Sequence, residues 1–319
     1  MIKILLFLKR IAVWLKGVPF KTAWYFGHWK GSGNFVLLKQ FSLEGQAIRY
    51  IPGGYILPLS LLDYFANDVN LLSETCRDFA PLDAGCGMLQ LHTRVQGQVV
   101  KIKLASSQSL FVYNEVFGQQ VYGFSLPGNC ILVDVGMNIG MASLYFAAHP
   151  FIKKIFSYEL VPQTYRLAKA NLSLNPSISD KISIHEYGWG VTAGTYDLGT
   201  VDSGATDASI LGAQLTTIEN SIANSVVAVS SATEVLHKIL AHHPGLPAVL
   251  KLDVEGVEYQ VLPALAEAGL LAQLQGLMIE WHNGEFRSLL ETLSAAGFKS
   301  TYRIDPVFAG RLGMIYAWR

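Results

Sequence analysis

Cys130-Ile-Leu-Val-Asp134-Val-Gly136-Met-Asn138-Ile-Gly140 is the stretch that decides the fold, and residues 141–149 continue it as an apolar helical run. A short apolar strand leads through closely spaced small and polar residues directly into a helix. In α/β proteins this arrangement presents a cofactor at the carboxyl edge of the sheet. Gly136 and Gly140 carry no Cβ, so the backbone of the turn can approach a ligand closely. The stretch therefore predicts a cofactor turn in an α/β fold.

The next apolar segment, Lys154-Ile-Phe-Ser-Tyr-Glu159-Leu, is predicted to form the second strand. Glu159 lies 19 positions after Gly140. At about this distance from a glycine turn, a carboxylate accepts hydrogen bonds from the two hydroxyls of a ribose. We therefore predict that Glu159 binds a nucleoside cofactor.

The turn itself favours one cofactor over another. Dinucleotide-binding folds use a G-x-G-x-x-G turn that brings a helix N-terminus to a pyrophosphate. This chain has Gly136-x-Asn138-x-Gly140 instead, with Asp134 two residues ahead. A carboxylate there would repel a pyrophosphate but can hold, directly or through water, the ammonium end of S-adenosylmethionine. The turn therefore favours S-adenosylmethionine over NAD; a tight turn with no ligand is the alternative.

Four motifs together resemble the FkbM-type methyltransferases and occur in that family's order and approximate spacing. The Asp-Val-Glu-Gly-x-Glu segment is the most family-specific of them, and Met137 departs from the Ala usual at that position. The resemblance extends over Val99 to Arg319, roughly two thirds of the chain. The motifs are Asp134-Val-Gly-Met-Asn-Ile-Gly140, Tyr158-Glu-Leu-Val-Pro162, Leu250-Lys-Leu-Asp-Val-Glu-Gly-Val-Glu258 and Ile279-Glu-Trp-His282.

The resemblance implies a class I methyltransferase fold, which is a Rossmann-like, doubly wound α/β sheet of seven strands. Apolar segments in the sequence supply this number of strands, with an antiparallel final pair. We predict an amphipathic N-terminal helix at 1–16, an accessory region at 17–95 and the FkbM-like methyltransferase domain at 96–319. Alternation around Gly97 predicts a β-hairpin at 89–104. The polar segment 192–229 is predicted to be an insertion or a mobile loop; plain surface β-structure is favoured there over an acceptor-binding lid.

The composition and the first 16 residues indicate which partners and which cell compartment to expect. Lys plus Arg and Asp plus Glu both number 24, which argues against a nucleic-acid binder with a basic stripe. Three cysteines without metal or disulfide spacing favour a reducing cytosol. Residues 1–16 are too short and too charged to span a bilayer. An interfacial helix at the inner face of the membrane and a helix docked on the core are equally compatible with that segment.

A second glycine-rich motif, Leu82-Asp-Ala-Gly-Cys-Gly87, imitates a methyltransferase turn. No apolar strand precedes it, and no strand ending in an acidic residue follows at the right distance. We therefore do not predict a cofactor site there.

The predicted catalytic residues follow the fourth and fifth strands. Methyl transfer requires the donor and the acceptor to be held in line, and a hydroxyl acceptor also requires a base. Asp253, Glu255 and His282 are the candidates, and the resemblance supports the first two most strongly. By the same resemblance Gly188 lies near the adenine. Lys251 is expected to pair with Asp253. The sequence shows no compact ligand set, so no metal is predicted.

The leading interpretation is an S-adenosylmethionine-dependent O-methyltransferase. Its acceptor would be a hydroxyl of a carbohydrate, glycan or secondary metabolite. The alternative is a non-catalytic scaffold with a methyltransferase fold, docked at the membrane surface through residues 1–16. An NAD oxidoreductase comes third because the phosphate turn is missing.

Overall fold

A computed structural model of the chain describes residues 9–11, 13–14, 17–26, 28–32, 34–65, 68–79, 81–83, 88–123, 125, 128–197, 226–282, 286–305 and 310–319. Its internal contacts divide the chain into two compact units, Met1–Gln119 and Gln120–Arg319. The predicted helix at 1–16 is described only in part, at residues 9–11, 13 and 14. Residues 84–87 of the second glycine-rich motif and 198–225 of the predicted insertion lie outside the described residues. No helix within the described ranges has both the length and the apolar character needed to cross a bilayer.

The first unit contains two small antiparallel sheets and short helices. Aromatic side chains fill its interior, with Phe26, Phe41 and Phe65 fully buried. One sheet has the order β1-β2-β3 and the other β4-β5-β6. The strands are β1 Phe41–Glu44, β2 Ala47–Tyr50, β3 Tyr55–Pro58, β4 Leu82–Asp83, β5 Leu89–Val95 and β6 Gln98–Lys103; the helices are α1 Phe20–Phe26, α2 Phe35–Leu38, α3 Val69–Asp78 and α4 Ser107–Tyr113, with a 3₁₀ helix at Leu59–Phe65 and a π-helical turn at Asn114–Gly118.

The predicted hairpin at 89–104 is confirmed, because β5 and β6 pair from Gln90↔Lys103 to Val95↔Gln98. Gln96 and Gly97 form its turn with positive φ angles. The predicted domain boundary after residue 95 would cut through this turn. The compact second unit instead begins at Gln120, because the ladder between the two strands keeps residues 98–103 in the first unit.

The second unit is built on a seven-stranded sheet with the order β15-β16-β14-β13-β7-β8-β9. β16 runs antiparallel to both of its neighbours, and the other pairs are parallel. With its helices on both faces, this is the fold predicted for class I methyltransferases. The strands are β7 Cys130–Val135, β8 Ile152–Tyr158, β9 Ile182–His185, β13 Ala248–Leu252, β14 Leu274–His282, β15 Lys299–Ile304 and β16 Leu312–Trp318; a side sheet has the order β10-β12-β11, with β10 Gly188–Gly190, β11 Gly194–Asp197 and β12 Val226–Ser231.

Helices cover both faces of the large sheet. β7 is buried along its whole length, as its continuous apolar sequence requires for a central parallel strand. Ile131, Val133 and Val135 point into the core beneath one set of helices. Alternation therefore sends Leu132 and Asp134 to the opposite face. The helices of this unit are α5 Met141–Ala147, α6 Pro162–Ser173, α7 Pro176–Ser179, α8 Ala232–His242, α9 Glu258–Glu267 and α10 Phe286–Ala295, with a 3₁₀ turn at Leu271–Gln273.

Candidate active site

The turn after β7 has left-handed backbone at three alternate residues: Gly136 at φ 81°, Asn138 at φ 54° and Gly140 at φ 86°. The amides of Gly136 and Met137 both donate to the carbonyl of Tyr158, at 3.0 and 2.8 Å. A Cβ on Gly136 would lie 1.7 Å from the carbonyl oxygen of Asp253. Glycine is therefore required where the β7 turn meets the end of β13.

Glu159 fixes the shape of this turn from the tip of β8. Its Oε2 accepts from the amide of Asn138 at 2.8 Å, and its Oε1 accepts from the amide of Val161 at 2.9 Å. Only 8% of the residue is exposed. Burial raises the pKa of Glu159 to about 7, although the two amides lower it in part. The structure thus brings Glu159 and the glycine turn together, as the sequence predicted.

Asp134 forms a buried ion pair that the sequence analysis did not predict. It is fully buried, with Oδ1 3.1 Å from Lys251 Nζ and Oδ2 accepting from the Ser143 hydroxyl at 2.5 Å. Ser143 also contacts the Ser157 hydroxyl at 2.8 Å. Both oxygens of Asp134 thus face protein groups in the interior, and Asp134 is the buried counter-ion of a lysine. Its predicted contact with the ammonium end of the cofactor, directly or through water, stays a prediction.

Lys251 joins β13 to the cofactor turn. Its Nζ donates to the carbonyl of Gly136 at 2.6 Å and to Asp253 Oδ2 at 3.2 Å, in addition to its pairing with Asp134. Burial alone would lower the pKa of Lys251, but the charges of Asp134 and Asp253 more than offset this and raise it. The expected Lys251–Asp253 pair is present, but sequence alternation gave no sign of the bond to Gly136. The ammonium group is therefore charged and holds three oxygen atoms at the sheet edge.

Asp253, Glu255 and His282 also lie together at this edge. Asp253 follows β13, Glu255 lies two residues further on, and His282 ends β14. One potential ligand atom from each lies within 4.8 Å of the others. The side chains of Asp253 and Glu255 are 22% and 52% exposed, whereas that of His282 is 7% exposed. The structure thus supplies the compact ligand set that the sequence did not reveal.

His282 is clamped between two carboxylates. Its Nδ1 lies 3.1 Å from Glu258 Oε1, and its Nε2 lies 3.3 Å from Glu255 Oε2. Burial alone would lower the pKa of His282, but the hydrogen bond to Glu258 and the charges of both carboxylates raise it to about 10. The two carboxylates therefore favour the protonated form of the ring, and the catalytic role of His282 stays a prediction.

Glu258 is the residue whose role the sequence analysis missed. It belongs to the quoted family motif, but it lies in the first turn of α9 and its position relative to His282 depends on the fold. Glu258 is fully buried and accepts from the amides of His282 and Gly256, at 2.9 and 2.7 Å. Burial of a carboxylate is costly unless it is bonded in this way.

Gly188 begins β10, and a Cβ there would lie 3.1 Å from Leu160 Cδ1. It therefore lies beside the residue that follows Glu159. The roles of Gly136, Asn138, Gly140, Glu159 and Gly188 in cofactor binding stay predictions.

Comparisons with known proteins agree with these motifs. The profile of the Methyltransferase FkbM domain family matches residues 134–300, just over half of the chain. The chain is 33% identical over 96 residues to "Methyltransferase sdnD" of Sordaria araneosa, covering 30% of this chain and 37% of that protein. It is 35% identical over 69 residues to "AMB antimetabolite synthetase AmbE" of Pseudomonas aeruginosa, covering 21% of this chain and 3% of that protein.

Among solved structures, Methyltransferase FkbM from Methylobacillus flagellatus KT is similar with 14% identity and a TM-score of 0.42, covering 66% of this chain and 54% of that one. The chain therefore spans less than two thirds of the length of these relatives. The family profile covers the glycine turn at 136–140, Glu159 and the segment from Lys251 to His282. The structure brings these parts to one edge of the sheet. On this match, the chain belongs to the FkbM methyltransferase domain family.

Proposed function

We propose that this chain is an S-adenosylmethionine-dependent methyltransferase that acts on a hydroxyl of a small molecule, carbohydrate or glycan. The donor supplies a methyl group on a positively charged sulfur. The protein contributes chiefly orientation, which can lower a barrier by about 7 to 11 kcal/mol when donor and acceptor are held in line.

One observation carries the proposal: Glu159 is held against the glycine turn. Its two oxygens each accept one backbone amide, and each retains a second acceptor site. Those remaining sites suit the two hydroxyls of a ribose. Asn138 is exposed and Gly136 partly exposed in the adjoining turn, so the turn can be reached from the solvent while Glu159 lies buried against it. The residues present therefore fit a nucleoside with a ribose at Glu159.

Asp253 and Glu255 are our candidates for the side chains that face the acceptor. Both are partly exposed at the same edge as the turn, and the Asp253 amide donates to the carbonyl of Val135 at 3.0 Å. This bond ties the acceptor side to the strand that carries the donor turn. Protonated His282 holds Glu255 in place. The AmbE relative is named as an antimetabolite synthetase, which supports a small-molecule acceptor.

Donor binding is the first test. We expect S-adenosylmethionine to bind the purified chain with micromolar affinity in calorimetry, and Glu159→Ala to abolish measurable binding because the ribose and the turn both lose their acceptor. Glu267→Ala removes an exposed carboxylate at the end of α9 and should bind as the unchanged protein does. Equal binding by both variants would refute the proposed donor site.

The second test is methyl transfer. Labelled donor is incubated with the protein and fractionated metabolites and glycans, and mass spectrometry identifies the material that gains the label. Labelling that requires Glu159 supports the enzyme. Donor binding without transfer to any fraction would favour the non-catalytic scaffold instead.

A further inference from the structure

The cluster of Asp253, Glu255 and His282 has the composition of a metal site. One ligand atom from each residue lies within 4.8 Å of the others. Two carboxylates and one imidazole are ligands that divalent transition metals accept. Three protein ligands also leave coordination positions open for water or substrate, as catalytic metal sites do.

The imidazole of His282 is already oriented for this role. Its Nδ1 lies 3.1 Å from Glu258 Oε1, and the backbone amide of the same histidine donates to that oxygen at 2.9 Å. Only 7% of the side chain is exposed, so the ring is fixed by its surroundings. Metal-binding histidines almost always donate their second ring N–H to a carboxylate or carbonyl. Glu258 supplies that acceptor and leaves Nε2 directed at Glu255.

The carboxylates on the other side are also held in place. Asp253 Oδ2 accepts a hydrogen bond from Lys251 Nζ at 3.2 Å. Within the described ranges no hydrogen bond reaches its Oδ1. Glu255 has a left-handed backbone at φ 54°, a conformation that is unfavourable for a non-glycine residue. The bond from the Gly256 amide to Glu258, at 2.7 Å, stabilises this bend. The bend brings Glu255 Oε2 to 3.3 Å from His282 Nε2.

We propose that Asp253, Glu255 and His282 bind one divalent cation, with Glu258 as the positioning residue behind His282. The ion replaces the proton on Nε2 of His282, and this proton is released to the solvent. Mn²⁺ suits the mixture of two oxygen ligands and one nitrogen. Metal binding needs no methyl donor, so it can be measured separately from methyl transfer. A further role rests on the proposed function: the ion's open positions would take the acceptor hydroxyl beside the donor turn and make its proton easier to remove.

The experiment uses the full chain, freed of metal with a chelator and titrated with Mn²⁺ alone, with free Mn²⁺ measured by electron paramagnetic resonance. We expect saturable binding of one ion per chain. Asp253→Asn and Glu255→Gln should each weaken binding at least tenfold, and Glu258→Gln by about 10- to 100-fold. Glu267→Gln, an exposed carboxylate on the same helix as Glu258, should bind as the unchanged protein does.

The same variants also distinguish loss of Mn²⁺ binding from loss of folding. Glu255 is half exposed, so its variant should keep the circular dichroism and melting temperature of the unchanged protein even if Glu258→Gln unfolds. Absence of saturable Mn²⁺ binding, or binding unchanged in Asp253→Asn and Glu255→Gln, would overturn the metal site, and protonated His282 would then be the resident cation of the cluster. Mn²⁺ binding without any donor binding would support the site while refuting the proposed function.

Discussion

At the scale of single residues, Lys251 has the most consequential environment. Its ammonium group is 2% exposed and lies within 3.2 Å of oxygens of Asp134, Gly136 and Asp253. Tyr122 places its ring 5.6 Å from the same nitrogen. Such a group cannot be removed alone, because Asp134 would stay buried without its counter-charge.

We therefore expect Lys251→Met to lower the free energy of unfolding by about 3 to 5 kcal/mol. The double variant Lys251→Met/Asp134→Asn should recover part of this loss, because neither charge is then left alone. Denaturant unfolding of the two single variants and the double variant measures the coupling, expected at about 1 to 3 kcal/mol. Strictly additive losses would contradict the pairing.

Gly136 provides a second residue-scale prediction. Gly136→Ala should disrupt the turn, because its Cβ would overlap the carbonyl oxygen of Asp253 in addition to the left-handed strain. Gly245→Ala is the matched control: its φ is 80° and no atom lies within 4 Å of an added Cβ. Only conformational strain of roughly 1 to 2 kcal/mol is expected there. Thermal melting should therefore show a larger loss for Gly136→Ala; equal losses would contradict the close approach.

The pH dependence of Glu159 can be predicted with its sign. Its carboxyl has a usual pKa of 4.5, which burial raises to about 7 in the folded protein. Between these pH values the folded protein binds more protons than the unfolded chain, so the free energy of unfolding falls as pH rises. The contribution of Glu159 is thus fully present below pH 4.5 and is lost as pH rises through about 7.

Glu159→Gln removes this titration while other groups cancel in the comparison. We expect the stability of the unchanged protein, relative to the variant, to fall by on the order of 1 to 3 kcal/mol between pH 4.5 and 7. Urea unfolding at a series of pH values measures it. A difference that is independent of pH would show that burial does not raise this pKa.

The sequence analysis identified most of these residues as site residues. Apart from the Lys251–Asp253 pair, it did not identify the groups that they contact. The strand-turn-helix pattern placed Gly136 and Asn138, and alternation put Lys251 and Asp253 on one face. Distances across strands depend on the register, which the pattern does not give. Asp134 on β7 lies beside Lys251 on the neighbouring strand β13. The sequence pattern did not predict the ion pair that they form.

At the scale of elements, helix α3 offers a defined test of capping. Asp68 precedes it, and its Oδ1 accepts from the amides of Asn70 and Leu71, at 2.8 and 3.5 Å. Asp68→Ala should lower stability by about 1 kcal/mol. Asp68→Asn keeps the cap and loses only the pair with the exposed Lys30, which is worth little. Thermal melting should therefore rank the asparagine variant near the unchanged protein, and equal losses would contradict the cap.

Elements with a clear periodicity were predicted well, and their ends less well. β14 begins at Leu274, three residues before the apolar run Leu277-Met-Ile that indicates a strand in the sequence. The first three residues of β14, Leu-Gln-Gly, have little apolar character. They belong to the strand because they lie along the neighbouring strand β13 and pair with it. Strands β11 and β12 agree with the surface β-structure favoured for 192–229. The short strand β10 was not predicted, because it pairs with a strand 38 residues later.

At the scale of the whole molecule, the described site residues all belong to the second unit. The strand order β15-β16-β14-β13-β7-β8-β9 brings the ends of β7, β8, β13 and β14 side by side. The family motifs come from these four ends. The sequence could therefore predict the fold class and the edge that carries the site. Apart from the hairpin at 89–104, it could not predict how the first unit folds, because residues 17–88 lack sustained periodicity.

The bond from Lys251 to Gly136 joins positions 115 residues apart, and protein engineering has to respect it. A glycine loop grafted from a related protein keeps this bond only if its own backbone carbonyl lies within reach of Lys251 Nζ. Chimeras should therefore exchange both strand-loop segments, 130–140 and 248–258, as one block. A library that randomises either segment alone would mostly sample loops in which the hydrogen bond from residue 251 to the carbonyl of residue 136 is lost.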